Sequence, residues 1–191
     1  MKTSLKLSLH VAFAAGLLVF AGCVVTAIHP WFQEGDVFFE PKLLGEWVDS
    51  KDADPTNFVF KFEQGGTNSY SVTDGEDGKN RKYDAHLFRL KQWTFLDAVP
   101  QDKCADDFVP PHYLAKVVQI EPTLKLVFMD EKWLESVLQK NPRALAHLPD
   151  KQGGCLVLTA DTAALQKFLL KHAGKTNAFN NDDNSPLKRR P

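Results

Sequence analysis

The chain has 191 residues, with 43% hydrophobic and 25% charged side chains, a composition that suits a folded globular protein and excludes a disordered or fibrous one. Its 23 basic and 24 acidic residues nearly cancel. No basic stripe is present to neutralise nucleic-acid phosphates, so a nucleic-acid partner is excluded.

The first 28 residues carry an address. Lys2 and Lys6 give a short positive start, an apolar run follows at 11–15 and 17–23, and no acidic residue precedes Glu34. This is the layout of an export signal. Val19-Phe20-Ala21-Gly22-Cys23 resembles the lipobox of bacterial lipoprotein signals, with Phe20 where Leu is usual. The resemblance implies that residues 1–22 are removed and that Cys23 carries the lipid. Val24, in place of an Asp, implies the outer membrane facing the periplasm in a Gram-negative cell. Two other readings stay open. Val25-Thr26-Ala27 is an ordinary signal-peptidase site that would release a soluble secreted protein. Residues 11–28 also approach the roughly 17–25 needed for an uncleaved membrane span.

Cysteine usage bears on this choice. The three Cys are an awkward number for an exported protein. Lipid on Cys23 would leave Cys104 and Cys155, a candidate disulfide that an oxidising compartment permits. Two unpaired thiols are the alternative.

Residues 23–41 read as a lipidated N-terminus and tether, with Trp31, Phe32, Phe38 and Phe39 available to plug one end of the domain. Residues 42–174 read as one β domain. Phe58, Phe60 and Phe62 alternate with charged residues, the period-two pattern of a half-buried strand. Gly65-Gly66, Asp74-Gly75 and Asp77-Gly78 are turn signals around Tyr70 and Val72. Further strands are expected at 83–90, 93–99, 113–120 and 124–129, the last two joined through Glu121-Pro122-Thr123. The period then changes. Trp133, Leu134, Val137 and Leu138 form a helical stripe capped by Asp130 and stopped by Pro142. Leu156-Val157-Leu158 reads as one more strand. A final helix starts at Asp161, buries Leu165, Phe168 and Leu169, and ends at Gly174. Residues 175–191 are polar enough to read as a disordered tail.

The fold class is therefore mainly β with two helices (α+β), an antiparallel barrel or half-barrel with an inserted helix and a C-terminal helix. Gly45-Glu46-Trp47 resembles the Gly-x-Trp signature of lipocalins, in which the Trp plugs the closed end of the barrel. With Cys155 to Thr159 taken as the last strand, no Arg is available to stack on Trp47. The whole chain also resembles the small bacterial lipoproteins that carry such a domain.

Chemistry leaves little trace. The six His stand far apart, without metal-ligand spacing. No phosphate loop, nucleophile elbow or His-Glu-x-x-His motif occurs. Cys104 and His112 could be drawn as nucleophile and base, with Asp97 nearby, but nothing in the sequence orients the His, and Asp97 reads as a turn or cap residue. The expectation is a non-catalytic envelope lipoprotein, without cofactor or metal. Its barrel would bind a small apolar ligand behind Phe58, Phe60 and Phe62, or a protein partner. An enzyme with an unfamiliar site is the alternative.

Overall fold

The computed structural model describes residues 25–49, 59–75, 80–101, 109–148, 156–179 and 186–190. Cys23, Cys104, Cys155 and Phe58 lie outside the described residues.

Eight antiparallel strands close into a barrel. Five run in chain order as β3 (Gly45–Asp49), β4 (Phe60–Gln64), β5 (Tyr70–Asp74), β6 (Arg81–Leu90) and β7 (Trp93–Pro100). They continue through β8 (His112–Gln119) and β9 (Thr123–Phe128). The circle is completed by β12 (Leu187–Arg189), which lies between β9 and β3. Closure removes the open edges that would otherwise invite pairing with other chains. The polar composition of 175–191 predicted no structure there, and residues 186–190 correct that expectation. Two neighbouring strands supply β12 with backbone partners, which lets a three-residue segment persist despite its polarity.

The inserted helix α1 (Glu131–Lys140) starts at Asp130, whose carboxylate accepts from the Trp133 N–H at 2.6 Å. The C-terminal helix α2 (Thr162–His172) starts at Asp161, which accepts from the Ala164 N–H at 2.8 Å. Both caps satisfy amide donors that a helix cannot bond internally. Short strands β1 (Thr26–Ala27), β10 (His147–Leu148) and β11 (Val157–Leu158) extend the sheet beyond β8. β1 takes the edge of β8 at His112–Tyr113, beyond the point where β9 pairs. In the same way, β2 (Val37–Phe38) pairs with β6 at Leu87 and Phe88, beyond the reach of β5.

This plan creates two cores on either side of one wall. Inside the barrel lie Trp47, Phe62, Tyr70, Val72, Leu87, Leu96 and Leu124. Outside it, Phe88, Phe95 and Leu114 from the same strands pack against Trp31, Leu134, Leu165 and Phe168. The central strands β6, β7 and β8 thus bury apolar side chains on both faces, each worth about 1.5–3 kcal/mol when fully removed from water. Among the described residues no helix is long and apolar enough to cross a membrane.

One end of the barrel is sealed around Trp47, which is fully buried. The short 3₁₀ turn Pro41–Leu43 runs across this end, and the Trp47 indole N–H donates to the Leu43 carbonyl at 2.9 Å. Phe39 stacks on Tyr70, whose hydroxyl accepts from the Glu40 N–H at 2.6 Å. Arg189 lies directly opposite Trp47 across the β3–β12 pair, with its guanidinium 4.6 Å from the indole ring. It also donates to the carbonyls of Lys42 and Leu44. The arginine that the sequence reading did not find for Trp47 is therefore in the true last strand.

Gly45 opens β3 with φ +118, and a Cβ there would meet Arg189 Nη1 at 3.0 Å. The positive φ favours glycine, and a Cβ would also press on the guanidinium. Gly45→Ala should cost about 1–3 kcal/mol in urea unfolding, and Arg189→Ala should lower the midpoint as well by uncovering Trp47.

Candidate functional site

Inward-facing residues alternate along every strand of a small barrel. At the sealed end they are fully buried: Trp47, Phe62 and Tyr70 are each at most 2% exposed. Toward the other end they become half-buried. Phe60, Tyr83, Ala98, Phe128 and Leu187 lie against the inner core there, and Tyr113 meets Tyr83 edge-on with centroids 6.0 Å apart. The connections that follow β3, β5 and β7 leave from this end. The same rim carries a charge pair. Asp74 and Arg81 face each other across β5 and β6, with Arg81 Nη2 2.5 Å from Asp74 Oδ2. The carboxylate is nearly buried and the guanidinium half-exposed.

The predicted lining residues divide along this axis. Phe60 and Phe62 sit on one face with centroids 6.2 Å apart, as period two requires. Phe62 belongs to the sealed half, where it packs edge-on against Tyr70. Phe60 belongs to the rim. The result, among the described residues, is a barrel filled with fully buried rings at one end and lined by half-buried ones toward the other.

A second constellation lies on the outer face of the wall. Asp97 is 1% exposed within β7, so it is neither a turn former nor a cap. Its Oδ1 lies 2.8 Å from His112 Nδ1, and its Oδ2 accepts from the Trp31 N–H at 2.9 Å. The carboxylate gives His112 the orienting partner that the sequence did not reveal. It places the ring proton on Nδ1 when the imidazole is neutral. His86 lies opposite Asp97 across β6 and β7, and its ring packs tilted against Phe32 with centroids 4.8 Å apart. Hence Asp97 joins two strands to the N-terminal segment. Thr162 Oγ1 donates to Pro30 O at 2.8 Å, and Gln166 Nε2 donates to Asp36 Oδ2 at 2.7 Å. These bonds bind the same segment to α2.

Cys104, the nucleophile drawn with His112, lies outside the described residues, as do the Cys104–Cys155 pair and Cys23. Among the described residues no group of three His, Cys, Asp or Glu is placed to hold a metal ion. The chain matches no protein-family model, no curated protein and no solved structure.

Replacing Asp97 with Asn leaves an amide that cannot accept from both sides. When its oxygen keeps the Trp31 N–H, its NH2 faces His112 Nδ1 and the contact survives only with the ring in its other tautomer, so Asp97→Asn should cost about 1–3 kcal/mol. Hydrogen exchange at Trp31 should accelerate more than at Trp47.

Acid should also weaken the outer core. His86 and His172 both have pKa values pushed below the ordinary imidazole value, chiefly because burial disfavours the charged form. His172 is 4% exposed, packs against Phe168 and Trp133, and its Nδ1 has no hydrogen-bond partner among the described residues. As pH falls through about 6.5, the unfolded chain takes up these protons before the folded one does. The stabilisation is complete above that value and declines below it. Urea midpoints should therefore drop between pH 7.5 and 5, and His172→Leu should flatten part of the drop.

Proposed function

We propose that this protein is a non-catalytic binding protein of the cell envelope, held to a membrane by lipid on Cys23, whose barrel rim takes a small apolar ligand. The observation that carries the binding reading is the contrast between the two ends of the barrel. Packing is complete around Trp47, Phe62 and Tyr70, whereas Phe60, Tyr83, Tyr113 and Phe128 are half-buried at the other end. A barrel of about eight strands can be filled by its own side chains or can hold one small ligand. Here the filled half supplies a floor, and Phe60 stands half-buried above it. A ligand of this class would be shallow and partly aromatic or aliphatic.

The envelope address rests on the lipobox resemblance of residues 19–23 and gains support from the start of the domain. Val25 is already 2% exposed and part of the outer core. An acyl group on Cys23 would thus stand two residues from packed structure, so the domain would ride close to the bilayer. Several acyl chains on one terminus give stable rather than reversible anchoring.

Radiolabelled palmitate should enter the wild-type chain and not Cys23→Ser. For the rim, native mass spectrometry of the protein purified from its own envelope should show a small bound molecule. Phe60→Arg should abolish it, while Lys61→Ala should leave it in place. Equal retention by both variants would remove the rim from consideration.

A further inference from the structure

We infer that the face formed by the C-terminal end of α2, the β6–β7 turn and the end of β8 lies on an anionic phospholipid surface; the inference rests on the proposed lipid anchor for its geometry.

Lys171 lies in the last turn of α2 and Lys175 three residues beyond its end, and both are exposed. Burial of the neighbouring His172 as a neutral ring is favoured by the two ammonium groups, which act on it together. Lys91 is exposed in the β6–β7 turn, and Trp93, two residues on, packs within 3.5 Å of where a Cβ of Gly174 would stand. Lys116 on β8 binds these parts together. Its Nζ donates to the Ala173 carbonyl at 2.7 Å and lies 4.1 Å from the Trp93 ring centroid. None of these four lysines pairs with a carboxylate among the described residues, whereas Lys42 and Lys61 do. Asp130, bonded through its N–H to Ala178 O, commits its carboxylate to capping α1.

Apolar groups accompany the charge. Val118, which lines a recess with Lys116 and Lys175, is 50% exposed, and Leu170, next to Lys171 in sequence, is 37% exposed. A pocket of about 70 Å³ opens between Lys116, Val118, Lys175 and Thr176. Cations flanking exposed aliphatic groups, with a small polar recess between them, match an interface of phosphate headgroups above acyl chains. The start of the described chain runs the same way. From Ala27 back to Thr26 the chain advances along β8 from His112 to Tyr113, toward the end that bears Lys116.

The test uses the mature lipidated protein on vesicles of phosphatidylcholine alone and of phosphatidylcholine with phosphatidylglycerol. Lysine amines are acetylated under limiting reagent and quantified by peptide mass spectrometry. Labelling of Lys91, Lys171 and Lys175 should slow several-fold on the anionic vesicles relative to the neutral ones. Lys61, four strands round the barrel from β8, should not change. Salt at high concentration should restore the rates, because exposed charges are screened. Equal rates on both vesicles, or protection centred on Lys61, would overturn the inference. Loss of the protein from neutral vesicles would count against the anchor instead, and the comparison of anionic vesicles with free solution would then decide the face. The variant Lys91→Gln/Lys171→Gln/Lys175→Gln changes only exposed side chains. It should lose the headgroup dependence, read as equal protection of Lys116 on the two vesicles.

Discussion

The barrel depends on the contact between Trp47 and Arg189. Trp47 is the largest side chain at the sealed end, and burying it completely requires a lid on the side facing water. Arg189 provides that lid with the flat face of its guanidinium, a cation–π contact of about 0.5–2 kcal/mol. The same group donates to the carbonyls of Lys42 and Leu44, which ties the lid to the turn before β3. Its position follows from the register of β12 against β3, where Arg189 stands opposite Trp47 and Lys188 opposite Val48. A slip of one residue would turn the guanidinium to the other face. The contact therefore fixes register as well as closure, and closure makes the interior an interior.

A closed barrel has consequences for the outer layer. The wall of β6, β7 and β8 is apolar on both sides, so the outer face must be covered. It is covered by α1, α2 and the N-terminal segment. That covering buries a carboxylate, Asp97, in the middle of a strand. A buried charge is tolerable only when hydrogen-bonded, and His112 and the Trp31 N–H meet this need on its two oxygens. The polar contact also chooses where the N-terminal segment docks, which packing alone would leave to any apolar stretch of the wall.

Much of this was legible in the sequence because the signals were local. Phe60 and Phe62 alternate, Asp130 and Asp161 stand three residues before the amides they cap, and Glu121-Pro122 turns the β8–β9 hairpin. These features operate within a few residues, and their structure follows from the same few residues. The eighth strand was not legible. Leu187-Lys188-Arg189 has one apolar residue in a polar stretch, and nothing within it favours a strand. Its order comes from two partners more than sixty residues away in sequence, and no window of composition contains them. Asp97 was misread for a related reason. Its role is set by His112 on the next strand and by Trp31, which is 66 positions upstream.

The division of labour along the barrel axis bears on the proposed ligand, which the interior around Trp47 could not take. Interior volume near Trp47 is taken up by three aromatic rings, and a guest there would have to displace fully buried side chains at a cost of several kcal/mol each. At the rim, Phe60 and Phe128 are already partly hydrated, so covering them releases water without breaking core packing. The Asp74–Arg81 pair supports the same conclusion. Its carboxylate is nearly buried while its guanidinium is half-exposed. The pair ties β5 to β6 at the rim, so a group covering Phe60 would meet a fixed edge rather than a yielding one.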